Sequence, residues 1–420
     1  MRKSGCHSVS LRCGFVLVAV FILSLATIQP CDAARPFVLG MSAPFSGPSR
    51  GLGIELYRGA AACFAHVNQG GGINGRRIEI LALDDGYDPV PAIDNTIHFL
   101  ENEEVLCLFS YVGTPTVTRV LPLLKGYDGT RKLLFFPFSG AQPQREFPYE
   151  RHVFNARASY RQEIRGLVDK FVGLGRTRVA VLYQVDAFGR SGWDGTRRAL
   201  AKHGLELAGE ATFSRGACFG DSMNAQVEVL RKAAPDVILA VGPYAACAAF
   251  VRDARDAGLD VPVATLSFVG SENMLKLLQS AQRDSGRVYT RDIVNSQVVP
   301  SYEDLSLPAV REYRADMDSL AQAAPDKAEQ GYAPLRYSFV SLEGYLNARV
   351  MTAILRKFAE SPENGLAAAA ESIRNLEVGV GIRIGFDKDC HQGPGNVYFT
   401  TIRDGKFVPI RPEDWARWQK

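Results

Sequence analysis

The chain has 420 residues, a formal charge of +3 and 46% hydrophobic residues. This composition is ordinary for a globular protein, and the length predicts two domains, each with its own core. The charges form no basic stripe and no polybasic segment, which argues against nucleic acid and anionic lipid as partners.

The first 34 residues have the pattern of a secretory signal peptide. Basic residues precede an apolar run at 14–28, and small residues at 31–34 offer a cleavage site. The run is shorter than the roughly 18 residues expected of a spanning helix. We expect residues 1–34 to be cleaved and the mature protein, with a charge near +1, to work in the periplasm. An uncleaved anchor and a lipoprotein cleaved before Cys31 are the alternatives.

Short apolar runs then alternate with amphipathic stretches, in one unit near 35–156 and a second near 157–298. Predicted strands lie at 37–41, 78–83, 178–183, 205–213, 237–241 and 263–266. One predicted helix ends near residue 68, and four others span 91–103, 159–174, 188–203 and 244–257. Apolar strands that alternate with helices predict parallel sheets covered on both faces, and hence an α/β fold.

The remaining chain predicts three helices and a hairpin. The helices lie near 308–322, 338–358 and 366–375. Strands at 397–402 and 407–410 flank Asp404-Gly405, a strong hairpin signal. This segment is too short for a third domain. We expect it to pack on the first two, with several crossings between them and therefore a hinge.

Two strand-to-helix turns, at 106–116 and 133–141, are short apolar runs that end in small hydroxyl and glycine residues. In an open parallel sheet, ligands lie outside the carboxyl ends of the strands, where turns and helix N-termini converge. These turns predict a site that captures a small molecule. The glycine-rich stretch at 46–53 is either a plain turn or a loop whose N–H groups face that site.

Catalytic and metal-binding patterns are weak. The sequence has neither a His-Glu-x-x-His zinc motif nor a Walker loop, and no Ser/His/Asp or paired-carboxylate constellation can be read from it. We expect no enzyme activity, metal or cofactor. Five cysteines follow the leader, and we expect them to be mainly small core residues, with a Cys218–Cys247 disulfide left open.

Several motifs, in their order and spacing, resemble those of a known family. They are 45–48 (Phe-Ser-Gly-Pro), 67–76, the acidic turn 84–89, 187–192 and 342–345 (Leu-Glu-Gly-Tyr). Through them the chain resembles the type I periplasmic solute-binding proteins of the leucine/isoleucine/valine-binding class, which serve ABC importers. The resemblance covers essentially the whole mature chain.

The resemblance implies two doubly wound parallel-sheet lobes joined by a three-strand hinge, with the ligand between them. Lobe I is expected at 35–156 and 299–396, and lobe II at 157–298 and 397–420. The expected partners are a small-molecule ligand and the permease and ATPase subunits of an importer. We expect a monomer.

The resemblance also implies the ligand site. A ligand carboxylate would be held by hydroxyl and backbone N–H groups of lobe I, and lobe II would supply aromatic rings. The predicted ligand-binding residues are Phe45, Ser46, Tyr111, Val112, Gly113, Thr114, Phe138, Ser139, Gly140, Ala141, Phe188, Tyr244 and Phe268.

One position departs from the family pattern. Amino-acid binders of this family place an acidic residue where this chain has Phe268, and Glu272 lies four residues later. A buried ammonium without a carboxylate partner costs several kcal/mol. We therefore expect an apolar or aromatic ligand, with or without a carboxylate, rather than leucine. The alternatives are a sensor module, or a periplasmic carrier of a bulky lipid such as a sterol.

Overall fold

Five parallel strands form the first sheet of the computed structural model, which describes residues 35–127, 129, 132–320, 323–325 and 328–420. The predicted signal peptide lies outside the described residues. The strands are β1 (Phe37–Ala43), β2 (Ile78–Asp84), β3 (Val105–Phe109), β4 (Leu134–Phe135) and β5 (Val153–Phe154), in the spatial order β2-β1-β3-β4-β5. The helices are α1 (Arg50–Gln69), α2 (Pro89–Glu101) and α3 (Thr114–Gly126). We call this sheet and the helices packed on it lobe I.

The second sheet has seven strands. They are β6 (Val179–Gln184), β7 (Gly209–Phe213), β8 (Val237–Val241), β9 (Val263–Thr265), β10 (Ile293–Gln297), β13 (Tyr398–Arg403) and β14 (Lys406–Pro409), in the order β14-β13-β10-β9-β8-β6-β7. The helices are α4 (Tyr160–Gly173), α5 (Ala187–Ala201), α6 (Asn224–Lys232), α7 (Tyr244–Asp256) and α8 (Ser271–Ser285). We call this sheet and its helices lobe II.

The chain returns to lobe I after β10. Helix α9 (Pro308–Leu320) and the long helix α10 (Phe339–Glu360) pack against α1. Helix α11 (Gly365–Glu371) and the two-residue strands β11 (Leu376–Glu377) and β12 (Arg383–Ile384) follow, and a last short helix α12 (Pro412–Ala416) ends the fold. The chain thus passes between the two sheets three times: after β5, after β10 and before β13.

Close helix packing explains one family-like motif. A Cβ atom on Gly344 would lie 2.1 Å from the Leu56 carbonyl oxygen, and one on Gly59 would lie 1.8 Å from the Ser341 carbonyl oxygen. Both distances are far below van der Waals contact. Glycine at these two positions therefore allows the backbones of α1 and α10 to approach each other.

Local capping sets where the helices begin. Asp88 accepts a hydrogen bond from the Val90 N–H at the start of α2, and Ser159 forms a capping box with Gln162 at the start of α4. Asp186 accepts from the Phe188 and Gly189 N–H groups at the start of α5. These caps fix the direction of the chain as it leaves each turn.

The α/β fold with doubly wound parallel sheets is confirmed, with one refinement. Lobe II is a mixed sheet, because the predicted hairpin adds β13 and β14 in antiparallel pairing beside β10. The strand expected at 205–213 begins only at Gly209. The pattern did not predict α6, α8, α12, β5, β10, β11 or β12. The lobe boundaries given above stay a prediction.

Among the described residues, no helix combines the length and hydropathy needed to cross a bilayer. The five cysteines of this part of the chain are free, so the Cys218–Cys247 disulfide that was left open does not form. Cys247 is buried, whereas Cys218 is exposed. Within the described ranges, no group of three or more His, Cys, Asp or Glu side chains is placed to hold a metal ion.

Candidate functional site

A tight turn joins β3 to α3 at the carboxyl end of the first sheet. Ser110 and Gly113 have positive φ angles of 49° and 113°. A Cβ atom on Gly113 would lie 2.6 Å from the Tyr87 ring, so both the backbone angle and the space require glycine. Gly113 is the N-cap of α3 and offers no side-chain cap. Pro115 has no N–H, and the Gly113 N–H donates to the Phe138 carbonyl oxygen. The N–H groups without an intrahelical partner are therefore those of Thr114 and Thr116, at the positive end of the helix dipole.

Three hydroxyl groups lie beside this helix start. Thr114 Oγ1 is 2.9 Å from Ser139 Oγ and 3.3 Å from Tyr160 Oη, and all three residues are buried. Thr114 and Ser139 belong to lobe I, whereas Tyr160 starts α4 of lobe II. Burial raises the pKa of Tyr160 to about 12, partly offset by Arg157 and by the bond to Thr114. The hydroxyl remains protonated at neutral pH and can donate to a ligand.

An aromatic cluster spans the two lobes next to these hydroxyls. The Phe268 ring lies 4.6 Å from Phe188, 5.2 Å from Phe138 and 6.0 Å from Tyr87, measured between ring centroids. Phe188 is in turn 5.0 Å from Tyr160. Phe138 and Tyr87 follow strands of lobe I, and Phe188 and Phe268 follow strands of lobe II. Separation of the lobes would therefore expose these rings to solvent.

A buried arginine, Arg157, lies beside the cluster where the chain crosses between the lobes. The Arg157 guanidinium lies 4.5 Å above the Phe138 ring and donates to Ser267 Oγ. Glu163 of α4 and Glu343 of α10 lie 3.6 and 3.3 Å from its nitrogen atoms. Burial raises the pKa of Glu343 to about 7, although Arg157 and Arg145 act to lower it. Arg157 thus contacts groups of both lobes where the chain crosses between them.

Asp186, the N-cap of α5 beside Phe188, is already hydrogen-bonded. Asp186 Oδ1 accepts from the Phe188 and Gly189 N–H groups, at 2.9 and 3.1 Å, and Oδ2 accepts from the Gln184 amide. Burial raises the pKa of Asp186, and these bonds oppose the shift. Asp186 Oδ1 thus caps α5, and Oδ2 bonds the Gln184 side chain.

The structure brings part of the predicted site together. Thr114, Ser139, Phe138, Phe188 and Phe268 are joined by the contacts above. Gly140 packs directly on Tyr160, since a Cβ there would lie 2.6 Å from its ring. The Val112 and Gly113 N–H groups donate to the carbonyl oxygens of Ser42 and Phe138. The Ala141 N–H donates to Ser139 Oγ at 3.4 Å.

Four other predicted residues lie differently. The Tyr111 side chain points into the core between α2 and α3, where its hydroxyl is 3.2 Å from Thr96 Oγ1. The Phe45 ring packs on Tyr57, and the N–H groups of Phe45 and Ser46 donate to Asp84. Tyr244 accepts a hydrogen bond from the Gly51 N–H at 3.2 Å and so links α7 of lobe II to α1 of lobe I.

Sequence reasoning missed Tyr87, Arg157 and Tyr160. Tyr87 lies in the acidic turn at 84–89 with a φ of 64°, and a bulky residue in a turn of this kind was a usable signal. Tyr160 follows the Ser159 cap directly. No sequence pattern marked Arg157, because its carboxylate partners are distant in the chain.

The stretch Gly47-Pro48-Ser49-Arg50-Gly51 fits the letters of a serine-hydrolase nucleophile elbow. Such an elbow needs a strained turn directly after a strand. Ser49 lies beyond the end of β1 at Ala43 and has an ordinary φ of −101°. The geometry of the elbow is therefore absent at this serine.

Two α/β lobes, three chain crossings and a ring-and-hydroxyl cluster between the lobes define a bilobed solute-binding protein. Residues 36–406 match the family model described as periplasmic binding protein. The chain belongs to this family, in its type I branch that includes the leucine/isoleucine/valine-binding proteins.

Known relatives agree with this assignment. An amino acid binding protein of Pseudomonas aeruginosa is 27% identical over 59% of this chain and 64% of its own length. A Leu/Ile/Val-binding protein homolog 7 of Brucella abortus is 22% identical over 93% of this chain and 96% of its own. The crystal structure of a possible leucine/isoleucine/valine-binding protein from Rhodopirellula baltica superposes with a TM-score of 0.80, 28% identity and coverage of 93% and 100% of the two chains.

Proposed function

We propose that this protein is the periplasmic solute-binding component of an ABC-type importer and that it carries an apolar or aromatic solute with a carboxylate. The observation that carries the proposal is the cluster of Phe138, Phe188 and Phe268 beside the uncapped start of α3. It combines a surface for rings with donors for an anion. The lobes, at 35–156 with 299–396 and at 157–298 with 397–420, would close over the solute.

The donors favour a carboxylate end. A helix N-terminus stabilises a nearby anion by about 0.3–1 kcal/mol, and by up to about 2 kcal/mol where it is partly buried. The hydroxyls of Thr114, Ser139 and Tyr160 can each add a hydrogen bond. A hydrogen bond to a charged group contributes about 1.5–3 kcal/mol.

The rings disfavour an amino acid. An ammonium group at the Phe268 position would meet an uncharged ring, and the nearby Asp186 already accepts from the Phe188 and Gly189 N–H groups and from the Gln184 amide. Aromatic rings gain about 0.5–1.5 kcal/mol from offset or edge contacts beyond the area they bury. An aromatic or branched apolar body therefore fits this position better than a charged one.

A solute screen with matched variants tests the proposal. Small organic acids, amino acids and neutral compounds are screened for a rise in melting temperature, and affinities are measured by calorimetry. We expect organic acids to bind and Thr114→Val to weaken them roughly tenfold, since a charge-assisted bond is lost. Thr352→Val is the control, because the buried Thr352 hydroxyl donates to the Ala348 carbonyl oxygen within α10 and does not belong to the hydroxyl cluster.

Two outcomes would contradict the proposal. One is tight binding of zwitterionic amino acids with no binding of simple acids. The other is an equal loss of affinity in Thr114→Val and Thr352→Val, which would show that the hydroxyl cluster does not bind the solute.

A further inference from the structure

A surface groove continues outward from the ring-and-hydroxyl cluster. It has a volume of about 340 Å³, and both lobes line it. Gly140 and Gln142 come from lobe I, and Tyr160, Ala187 and Arg190 come from lobe II. Gly140 and Tyr160 line the groove and also border the cluster, so the two adjoin each other. A solute that is bound at the cluster and is longer than it would extend into this groove.

Most charges of the groove neutralise one another. Arg161 lies 3.3 Å from Glu146 and 3.2 Å from Asp194, and it bridges the two lobes. Asp194 is also 2.7 Å from Arg198. Among the described residues that line the groove, Arg190 is the basic residue outside these pairs, and it is exposed. The groove therefore has one cation available to a ligand.

A second polar group in the groove lacks a partner. The Gln142 Oε1 atom is buried and accepts no hydrogen bond from the described residues. The oxygen and nitrogen of a glutamine amide are assigned from their surroundings, and rotation of the amide places the N–H₂ group there instead. Gln142 therefore adds to the groove lining a second polar side chain, one amide atom of which has no partner among the described residues.

We propose that the solute has two acidic ends: one carboxylate at the hydroxyl cluster, an apolar body among the rings, and a second carboxylate in the groove at Arg190. This inference rests on the proposed function and names the class of solute. Arginine suits the second end because its planar guanidinium can donate two parallel hydrogen bonds to a carboxylate. The exposed position of Arg190 makes its contribution modest and sensitive to salt.

Two compounds that differ only in the second end test the inference. Phenylacetate has one carboxylate, and 1,4-phenylenediacetate adds a second at the opposite side of the same ring. We expect the diacid to bind wild-type protein about tenfold more tightly, which corresponds to about 1.4 kcal/mol. Arg190→Gln should reduce this ratio to near one, with no change in the affinity for phenylacetate.

Arg197→Gln is the matched control. Arg197 lies on the same helix but stacks on Trp193, 4.7 Å from its ring, and does not line this groove. The tenfold ratio should persist in this variant. Equal binding of the two compounds by wild-type protein, or a ratio that survives Arg190→Gln, would overturn the inference.

If neither compound binds, the inference is tested with the solute that the screen identifies. A solute with two acidic ends whose affinity falls in Arg190→Gln supports the inference. A solute with one charged end and the same affinity in both proteins overturns it while the proposed function stands. A screen that returns no solute counts against the proposed function itself and removes the basis of the inference.

Discussion

Replacing Arg157 with methionine is expected to cost about 3–5 kcal/mol of the free energy of unfolding, which is the usual effect of removing one partner from a buried charge pair. Arg157 is 2% exposed, and its two carboxylate neighbours, Glu163 and Glu343, are 0% and 6% exposed. Methionine keeps much of the volume but leaves both carboxylates without this cation. Urea unfolding at pH 8 measures the difference.

The matched control is Arg161→Met, which removes an arginine that also lies between two carboxylates. Arg161 is 37% exposed, and its partners Glu146 and Asp194 are 54% and 37% exposed. Exposed ion pairs contribute about 0–1 kcal/mol, so this variant should lose at most that amount per pair. An equal loss of the free energy of unfolding in the two variants would show that the burial of Arg157 does not determine its contribution to stability.

The second large effect is on the pH dependence of stability. Burial raises the pKa of Glu343 to about 7, above its value of 4.5 in an unfolded chain. The folded state therefore favours the protonated form. This contribution is fully present below pH 4.5, falls as the pH rises to 7, and is lost above 7. Its size is on the order of 3 kcal/mol, from 1.36 kcal/mol per pKa unit.

Glu343→Gln tests this directly, because glutamine cannot ionise. The stability of the variant minus that of wild type should increase by on the order of 3 kcal/mol between pH 4.5 and pH 8. Asp85 and Glu272 also have pKa values raised by burial to about 7, and their effect is the same in both proteins. Glu360→Gln, at an exposed pair with Lys357, is the control. A difference that is constant with pH would contradict the assignment.

Local patterns predicted most of the fold. The strands at Val179–Gln184 and Val237–Val241 are continuous apolar runs, which is typical of strands buried on both faces. Most of the elements that were missed are short or weakly patterned, although the amphipathic helix α8 and the buried strand β10 were missed as well. Strand β5 has two residues, and α6 has nine, of which only Val227 and Leu230 are buried. Such segments are fixed by tertiary contacts rather than by their own periodicity.

The candidate site was predictable only in part. Turns after strands pointed to Thr114 and Ser139, because their position depends on topology alone. The direction of a side chain depends on its neighbours, and so Tyr111 was expected in the site although its ring packs near Phe99. Arg157 and Glu343 are separated by many residues in the chain, and no spacing rule brings them together.

The central claim is that the two lobes close over a solute at the ring cluster. Small-angle X-ray scattering, before and after addition of the solute that raises the melting temperature most, tests it directly. We predict a smaller radius of gyration with the solute, because the contacts of Phe268 with Phe138 and Tyr87 join the lobes. Identical scattering curves with and without saturating solute would contradict the account.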